Sequence, residues 1–330
     1  MIAEAGSNHN GDRELALRLV DAAAESGADA VKFQLFRADR LYPRGAGAAD
    51  YLADERDIVD IVGALELPVD WLPALADRCA GHGIDFLVTA FDEASADAID
   101  PYVHAYKLAS YELTHHPLVR HIAAKGKPML MSTGASNLDE VAAAVDVARA
   151  AGATNITVLQ CTAAYPADLG AMNVGAIVTI RERFGVDVGL SDHSADPVIA
   201  PVAAVALGAT VIEKHFTLDR ELPGPDHRFA LEPAGLAAMV EAIRAATVAV
   251  GDGSKKVHTD EEELRSFARR SIFSIRDIAP GEELGADTVA VLRSGKLGHG
   301  LDPAELDSII GRRAARPIVA DSLIRYEDLE

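Results

Sequence analysis

Two histidines stand out by placement. His193 in "GLSDHS" (189–194) and His215 in "VIEKHFTLDR" (211–220) each close an apolar, strand-like run, 22 positions apart. Imidazoles at matched places on consecutive strands can reach one divalent ion, and two protein donors leave coordination positions for water and substrate. Such an ion would polarise a carbonyl as a Lewis acid. A lone His at a strand end is equally a hydrogen-bonded core group, so the reading rests on the pair. Other reactive side chains close runs of the same kind. Glu4 lies in "IAEAG", Lys32 and Gln34 in "AVKFQ", Thr89 ends "DFLVT", Lys107 lies in "AYKLA" with Ser110 and Glu112 just beyond, and Ser132 ends "PMLMS". Cys161 ends "ITVLQC" with Tyr165 following, while Ser191 and Glu213 stand two residues before the two histidines. Burying an unpaired Lys or Glu costs several kcal/mol, so these charges need partners. Two lysines with the hydroxyls of Thr89, Ser132 and Ser191 make a cationic, donor-rich pocket suited to the phosphate and carboxylate of a phosphorylated acid.

The elements that must position them follow from the same runs. Eight strand candidates, 2–6, 30–34, 85–89, 105–109, 128–132, 156–161, 187–191 and 210–215, each precede a helix-period stretch such as "RELALRLVDAAAESG" or "NLDEVAAAVDVARAAG". Eight β-then-α units read as a (β/α)8 barrel, whose chemistry collects at the C-terminal strand ends. A doubly wound open sheet also alternates strands and helices, but "GSNHNG" at 6–11 is not the glycine-rich phosphate turn it would want. We assign 1–255 to the barrel and 256–272, which holds the acidic and basic stretch "TDEEELRSFARR", to a linker. Residues 273–330 read as a small, mostly β module, where short β-type runs alternate with turns such as "APGEE" and "SGKLGHG". About 60 residues fold alone only marginally, so this module needs support.

Composition narrows the classes. The 330 residues are 49% hydrophobic and 25% charged, with 31 Lys and Arg against 51 Asp and Glu for a formal charge of −20. That balance fits a folded protein and opposes nonspecific binding to nucleic acid or an anionic membrane. An anionic substrate must therefore meet local cations. Cys79 and Cys161, the two cysteines, share no CxxC spacing, which argues against a disulfide framework or Cys-rich zinc site and fits a reducing cytoplasm. The opening "MIAEAG" carries no export-type leader, so neither export nor membrane anchoring is expected.

In order along the chain, "IAEAGSNHNG", "AVKFQ", "YKLAS", "STGAS", "CTAAYPA", "GLSDHS" and "EKHFTLDRELPGPDH" resemble the sialic acid synthase family, and the tail resembles its C-terminal SAF, or antifreeze-like, domain. These transferases condense phosphoenolpyruvate with an N-acylated amino sugar to give nine-carbon 2-keto acids. The resemblance implies a (β/α)8 barrel with an SAF domain and a manganese or magnesium ion on His193 and His215. Phosphoenolpyruvate would lie on Lys32, Thr89, Lys107, Ser110, Ser132 and Ser191. Glu4, Gln34, Phe91, Glu112, Tyr165 and Asp226 would face the sugar. It further implies a homodimer in which the SAF domain of one subunit caps the other's barrel, with Arg293 reaching the acyl group and Phe267 nearby. Glu4 is either an acid–base group or a hydrogen-bonded anchor for "SNHNG".

The chain departs from the family in three places. It opens almost in the first strand, where relatives usually carry a preceding hairpin, which puts barrel stability or the start site in question. Ala163 follows "CT" where sialic acid synthases often have Asn, and "LRSG" replaces a common "KRPG". The acceptor expected is of the N-acetylmannosamine type, with a diacetamido-trideoxyhexose leading to legionaminic or pseudaminic acid as the alternative. Two readings of another class stand beside these: a Schiff-base aldolase using Lys107, and a non-catalytic sugar-binding or ice-binding protein built around the SAF module.

Overall fold

Short apolar runs, buried on both faces, produce strands here, and the strands close on themselves. In a computed structural model describing residues 1–47 and 56–330, β1 (Ile2–Gly6), β2 (Ala30–Leu35), β3 (Asp85–Ala90), β4 (Tyr106–Leu108), β5 (Met129–Ser132), β6 (Ile156–Cys161), β7 (Asp187–Asp192) and β8 (Val211–His215) form a closed parallel barrel. Each lies within one residue of its sequence-based range. Direct pairing of β1 with β8 rules out the open sheet. The chain divides into two compact units, Met1–Gly251 and Asp252–Glu330.

The barrel interior changes character over one layer. Ile2, Ala30, Leu87 and Leu130 form a small apolar cluster with Ala105 and Val211 against it. Two residues further along the same strands stand Glu4, Lys32, Thr89, Ser132, Lys107 and Glu213, all buried. Because side chains alternate across a strand, the same spacing that fills the floor aims these groups into the mouth. The outward-facing residues, among them Val31, Phe33, Val88, Met131, Leu190 and Ile212, join the main core beneath the helices. Gly189 is required for closure: a Cβ there would run into the Val211 carbonyl oxygen and Leu159. The wall is uneven, since β2 and β3 pair over six register positions whereas β3 and β4 share one, Thr89 opposite Lys107.

Local signals fix the helices. Asp12 caps Arg13–Glu25, Asn137 with Glu140 forms a capping box on Leu138–Ala150, and left-handed Gly83 and Gly185 end Leu72–His82 and Ala176–Phe184. The last helix of this unit, Pro233–Val250, is by length and composition alone apolar enough to cross a membrane. It buries Leu236, Met239, Val240 and Ile243 and carries Glu241 and Arg244.

In the second unit the stretch 256–272, expected as a linker, is structured. Helix Glu262–Ala268 has Glu262 and Glu263 in its first turn and Arg265 in its last, the sense that complements its dipole. It runs into β9 (Arg270–Ser274), which pairs antiparallel with β10 (Val289–Arg293). Ile272, Ile278, Leu284, Val289, Ile309, Ile318 and Ile324 form this unit's own core. The short apolar runs between turns thus build a small module of strands, bridges and single helical turns.

Candidate active site

The charged layer at the barrel mouth is a network of matched pairs. Lys32, 2% exposed, comes from β2; its Nζ lies 2.8 Å from Glu4 Oε2 on β1 and donates to Thr89 Oγ1 on β3 at 2.8 Å. Gln34 Nε2 donates to the other Glu4 oxygen at 2.7 Å. Lys107, equally buried, donates to Ser132 Oγ at 2.7 Å. Glu213 Oε1 joins the two halves, 3.5 Å from Lys107 Nζ, 3.9 Å from Lys32 Nζ, and accepting from Ser191 Oγ at 3.3 Å. Its Oε2 is buried and has no hydrogen-bond partner among the described residues. Two ammonium groups against two carboxylates make this layer neutral, which corrects the cationic pocket expected from the lysines alone. Desolvating two lysines without counter-charges would cost more than the fold can supply.

These environments move the carboxyls apart. Burial raises Glu4, with Lys32 opposing. Burial also pushes on Glu213, but Lys107 and Lys32 outweigh it and hold that group below its usual range. Burial lowers Lys107. Glu112, just beyond β4, is lifted by burial to about 7, and its Oε2 is also unpartnered among the described residues. Asp226, in the loop after β8, is raised to about 7, first by burial and then by the Glu4 charge. Glu112 and Asp226 can therefore exchange protons near neutrality.

The two imidazoles stand together beside this layer, ring centroids 5.4 Å apart. His193 Nδ1 lies 2.8 Å from the Thr162 carbonyl oxygen. A carbonyl only accepts, so Nδ1 carries the proton and Nε2 keeps its lone pair, with the Cys161 thiol 3.8 Å away. Burial lowers His193 to about 4, and burial together with repulsion from His193 takes His215 well below its usual value, so both rings are neutral at pH 7. His215 Nδ1 is buried without a hydrogen bond among the described residues; Asp226 Oδ2 is 4.0 Å away. Neutral rings with unused lone pairs are the donor state a divalent ion takes. Among the described residues no set of three or more His, Cys, Asp or Glu converges on one point. Tyr165 stacks on His193 at 4.3 Å, and Phe229 lies 5.3 Å from His215.

The remaining sequence-based candidates of the first unit fall around the mouth. Gly6 has the left-handed φ of +54° and marks where three of them meet: a Cβ there would lie 3.4–3.6 Å from Gln34 Nε2, Glu4 Oε1 and Asp226 Oδ2. Ser110 Oγ accepts from Gly134 N at 3.0 Å, and a Cβ on Gly134 would meet Ser110 Oγ and the Ala163 methyl. Phe91, half-buried past β3, packs edge-on against Phe36. Next to Asp226 the rim opens as a cleft of about 420 Å³ lined by residues including Asn10, Leu65, Pro223 and Pro225. Glu4 does not anchor "SNHNG" through the bonds it makes; that loop is held by Asn8 Nδ2, which donates to the Phe216 carbonyl at 2.9 Å. Phe267 and Arg293 belong to the second unit, where Arg293 ends β10 opposite Arg270. Sequence reasoning placed Glu213 at a strand end but gave it no role. Its two-residue offset from His215, the same offset that separates Ser191 from His193, was the available signal.

The NeuB family description matches residues 19–255 and the SAF domain description residues 269–330. The chain belongs to the NeuB family. Spore coat polysaccharide biosynthesis protein SpsE of Bacillus subtilis is 41% identical to this NeuB-family chain over 100% of it and 93% of its own length. The N,N'-diacetyllegionaminic acid synthase of Legionella pneumophila is 38% identical, covering 100% and 94%. The crystal structure of a putative spore coat polysaccharide biosynthesis protein E from Chromobacterium violaceum aligns with a TM-score of 0.79 at 28% identity, covering 100% of this chain and 98% of that one. As a NeuB-family protein with an SAF domain the chain is a synthase of the transferase type, and the nonulosonic acid synthase reading stands.

Proposed function

We propose that this enzyme condenses phosphoenolpyruvate with the open-chain form of an N-acyl amino sugar, breaking the C–O bond to phosphate. The observation that carries the reading is Glu213: a carboxylate oxygen sits 3.5 and 3.9 Å from two buried ammonium groups, in a layer completed by Glu4 and the hydroxyls of Thr89, Ser132 and Ser191. Lys32, Thr89, Lys107, Ser110, Ser132 and Ser191 would grip the phosphate and carboxylate of the enol phosphate. C3 of that substrate attacks the sugar aldehyde, water adds at C2, and phosphate departs with its charge facing Lys32 and Lys107. Glu112 and Asp226, titrating near neutrality, are placed to pass protons to or from the sugar and the water. Glu4, Gln34, Phe91 and Tyr165 would complete the sugar side. His193 through Nε2 and His215 through Nδ1 would hold Mn2+ or Mg2+, which when bound polarises the aldehyde oxygen.

The 38% identical Legionella relative favours a second acceptor, a diacetamido-trideoxyhexose, over N-acetylmannosamine. Ala163 fits that choice, because its methyl gives the pocket no polar group at that point. In the assembled enzyme we place the SAF domain of a second subunit over the mouth, with Arg293 toward the acyl group and Phe267 beside it. The test is phosphate release from phosphoenolpyruvate with a panel of amino sugars, with and without chelator. Release only with an N-acyl amino sugar, abolished by chelation and restored by Mn2+, is expected; no release with any sugar would sink the reading. Trapping of a Lys107 adduct by borohydride in the presence of pyruvate would support the aldolase instead.

A further inference from the structure

The outer face of β7 and β8 carries an ion pair that no step of this chemistry uses. Asp192 and Lys214 are ladder partners, each one position before an imidazole of the pair. By strand alternation they point away from the mouth. Both are almost wholly buried, 1% and 2% exposed. Lys214 Nζ lies 2.8 Å from Asp192 Oδ2, donates to the Ser194 carbonyl, and stands 3.5 Å from the Asp196 carbonyl oxygen. Asp192 Oδ1 accepts from Ser194 N at 2.7 Å. Asp196 Oδ1 in turn accepts from Val198 N and Ile199 N at 2.8 and 2.7 Å, starting helix Ile199–Ala206. A side chain of β8 thus fixes the path of the segment that leaves β7 carrying His193.

We propose that Lys214 and Asp192 are positioning residues for the two imidazoles. The ammonium next to His215 directs the backbone next to His193, so the separation of the rings is set from outside the barrel. A buried ion pair stabilises little more than an apolar pair of equal volume. The ion pair, with its fixed acceptors, directs the loop from the β8 side, while Ala167 N holds the His193 carbonyl at 2.8 Å from the other. This rests on the reading of His193 and His215 as holders of a divalent ion.

The test is Mn2+ binding to the full-length protein without substrate, read from the free-Mn2+ electron paramagnetic resonance signal at a temperature where every variant keeps the parent's near-ultraviolet circular dichroism. The parent binds and His215→Ala does not. Lys214→Met is expected to weaken binding about 10- to 100-fold, the usual effect of removing a partner that orients a ligand. The double variant Asp192→Leu/Lys214→Met, which fills the site with apolar side chains and removes both charges, recovers the parent's melting temperature but not its Mn2+ affinity. Asp192→Asn, which keeps the acceptor for Ser194, loses less affinity than Lys214→Met. Full affinity in Lys214→Met, or affinity returning with stability in the double variant, overturns the positioning role while leaving the metal reading intact. A parent protein that does not bind Mn2+ removes the metal reading and this inference with it.

Discussion

Two buried ionic clusters occupy opposite faces of one barrel wall, and they differ in completeness. Outside, the Lys214 ammonium faces Asp192, Ser194 and Asp196, and both Asp192 oxygens are engaged. Inside, Glu213 Oε2, Glu112 Oε2 and His215 Nδ1 are buried without hydrogen bonds among the described residues. A buried polar atom without a partner costs about 1–3 kcal/mol, so three in one mouth are a standing expense unless something else completes them. The outer cluster is closed on itself, and the inner one keeps hydrogen-bonding capacity that no described residue uses.

The strongest way to break this contrast is Lys32→Met. It leaves Glu4 facing only Gln34, and we expect phosphate release to fall about 10²–10³-fold or more with a loss of roughly 3–5 kcal/mol in denaturant titration. Wild-type turnover in that variant would mean that the inner cluster is not the seat of the anion. A medium effect is expected at Glu112. Its carboxyl titrates at about 7 in the folded protein against an ordinary value of 4.5 in water. A raised value contributes stability that is complete below 4.5 and lost as pH rises through 7, so the parent should weaken over that window. Glu112→Gln lacks the slope, matching the parent near pH 4.5 and exceeding it above pH 7 by at most about 3 kcal/mol. Parallel stability curves for the two proteins would show that Glu112 is not held protonated. The smallest effect belongs to a pair in water. Arg78 makes two 2.6 Å bonds to Asp21 on the outer helices, yet Arg78→Ala should shift the denaturant midpoint far less than Lys32→Met does, and that small shift should fade in high salt. A loss as large as that of Lys32→Met would erase the distinction between buried and exposed pairs.

The sequence made the strands legible because a barrel strand is short, apolar and bounded, and every one of the eight appears within one residue. It also exposed the inner groups, since Lys32, Lys107, His193 and His215 break apolar runs where a charge has no local excuse. Glu213 and Lys107 were each visible, but their pairing depends on closure of the barrel and has no signature along the chain. Lys214 was invisible for the opposite reason. A lysine that alternates outward in "VIEKHF" reads as a solvated side chain until the β7 loop is seen to cover it. The stretch 256–272 looked like a linker because an acidic run is followed by basic residues with little apolar pattern, and its helix carries acids in the first turn and Arg265 in the last, a placement that a hydrophobic pattern does not report.

The seam between β3 and β4 gives the mouth a second meaning. With a single register position joining those strands, the wall is least stitched where Thr89 and Lys107 face the pocket. An anion bridging Lys32, Thr89 and Lys107 would act as the missing rung, so that filling the mouth would also stitch the barrel wall at its thinnest seam.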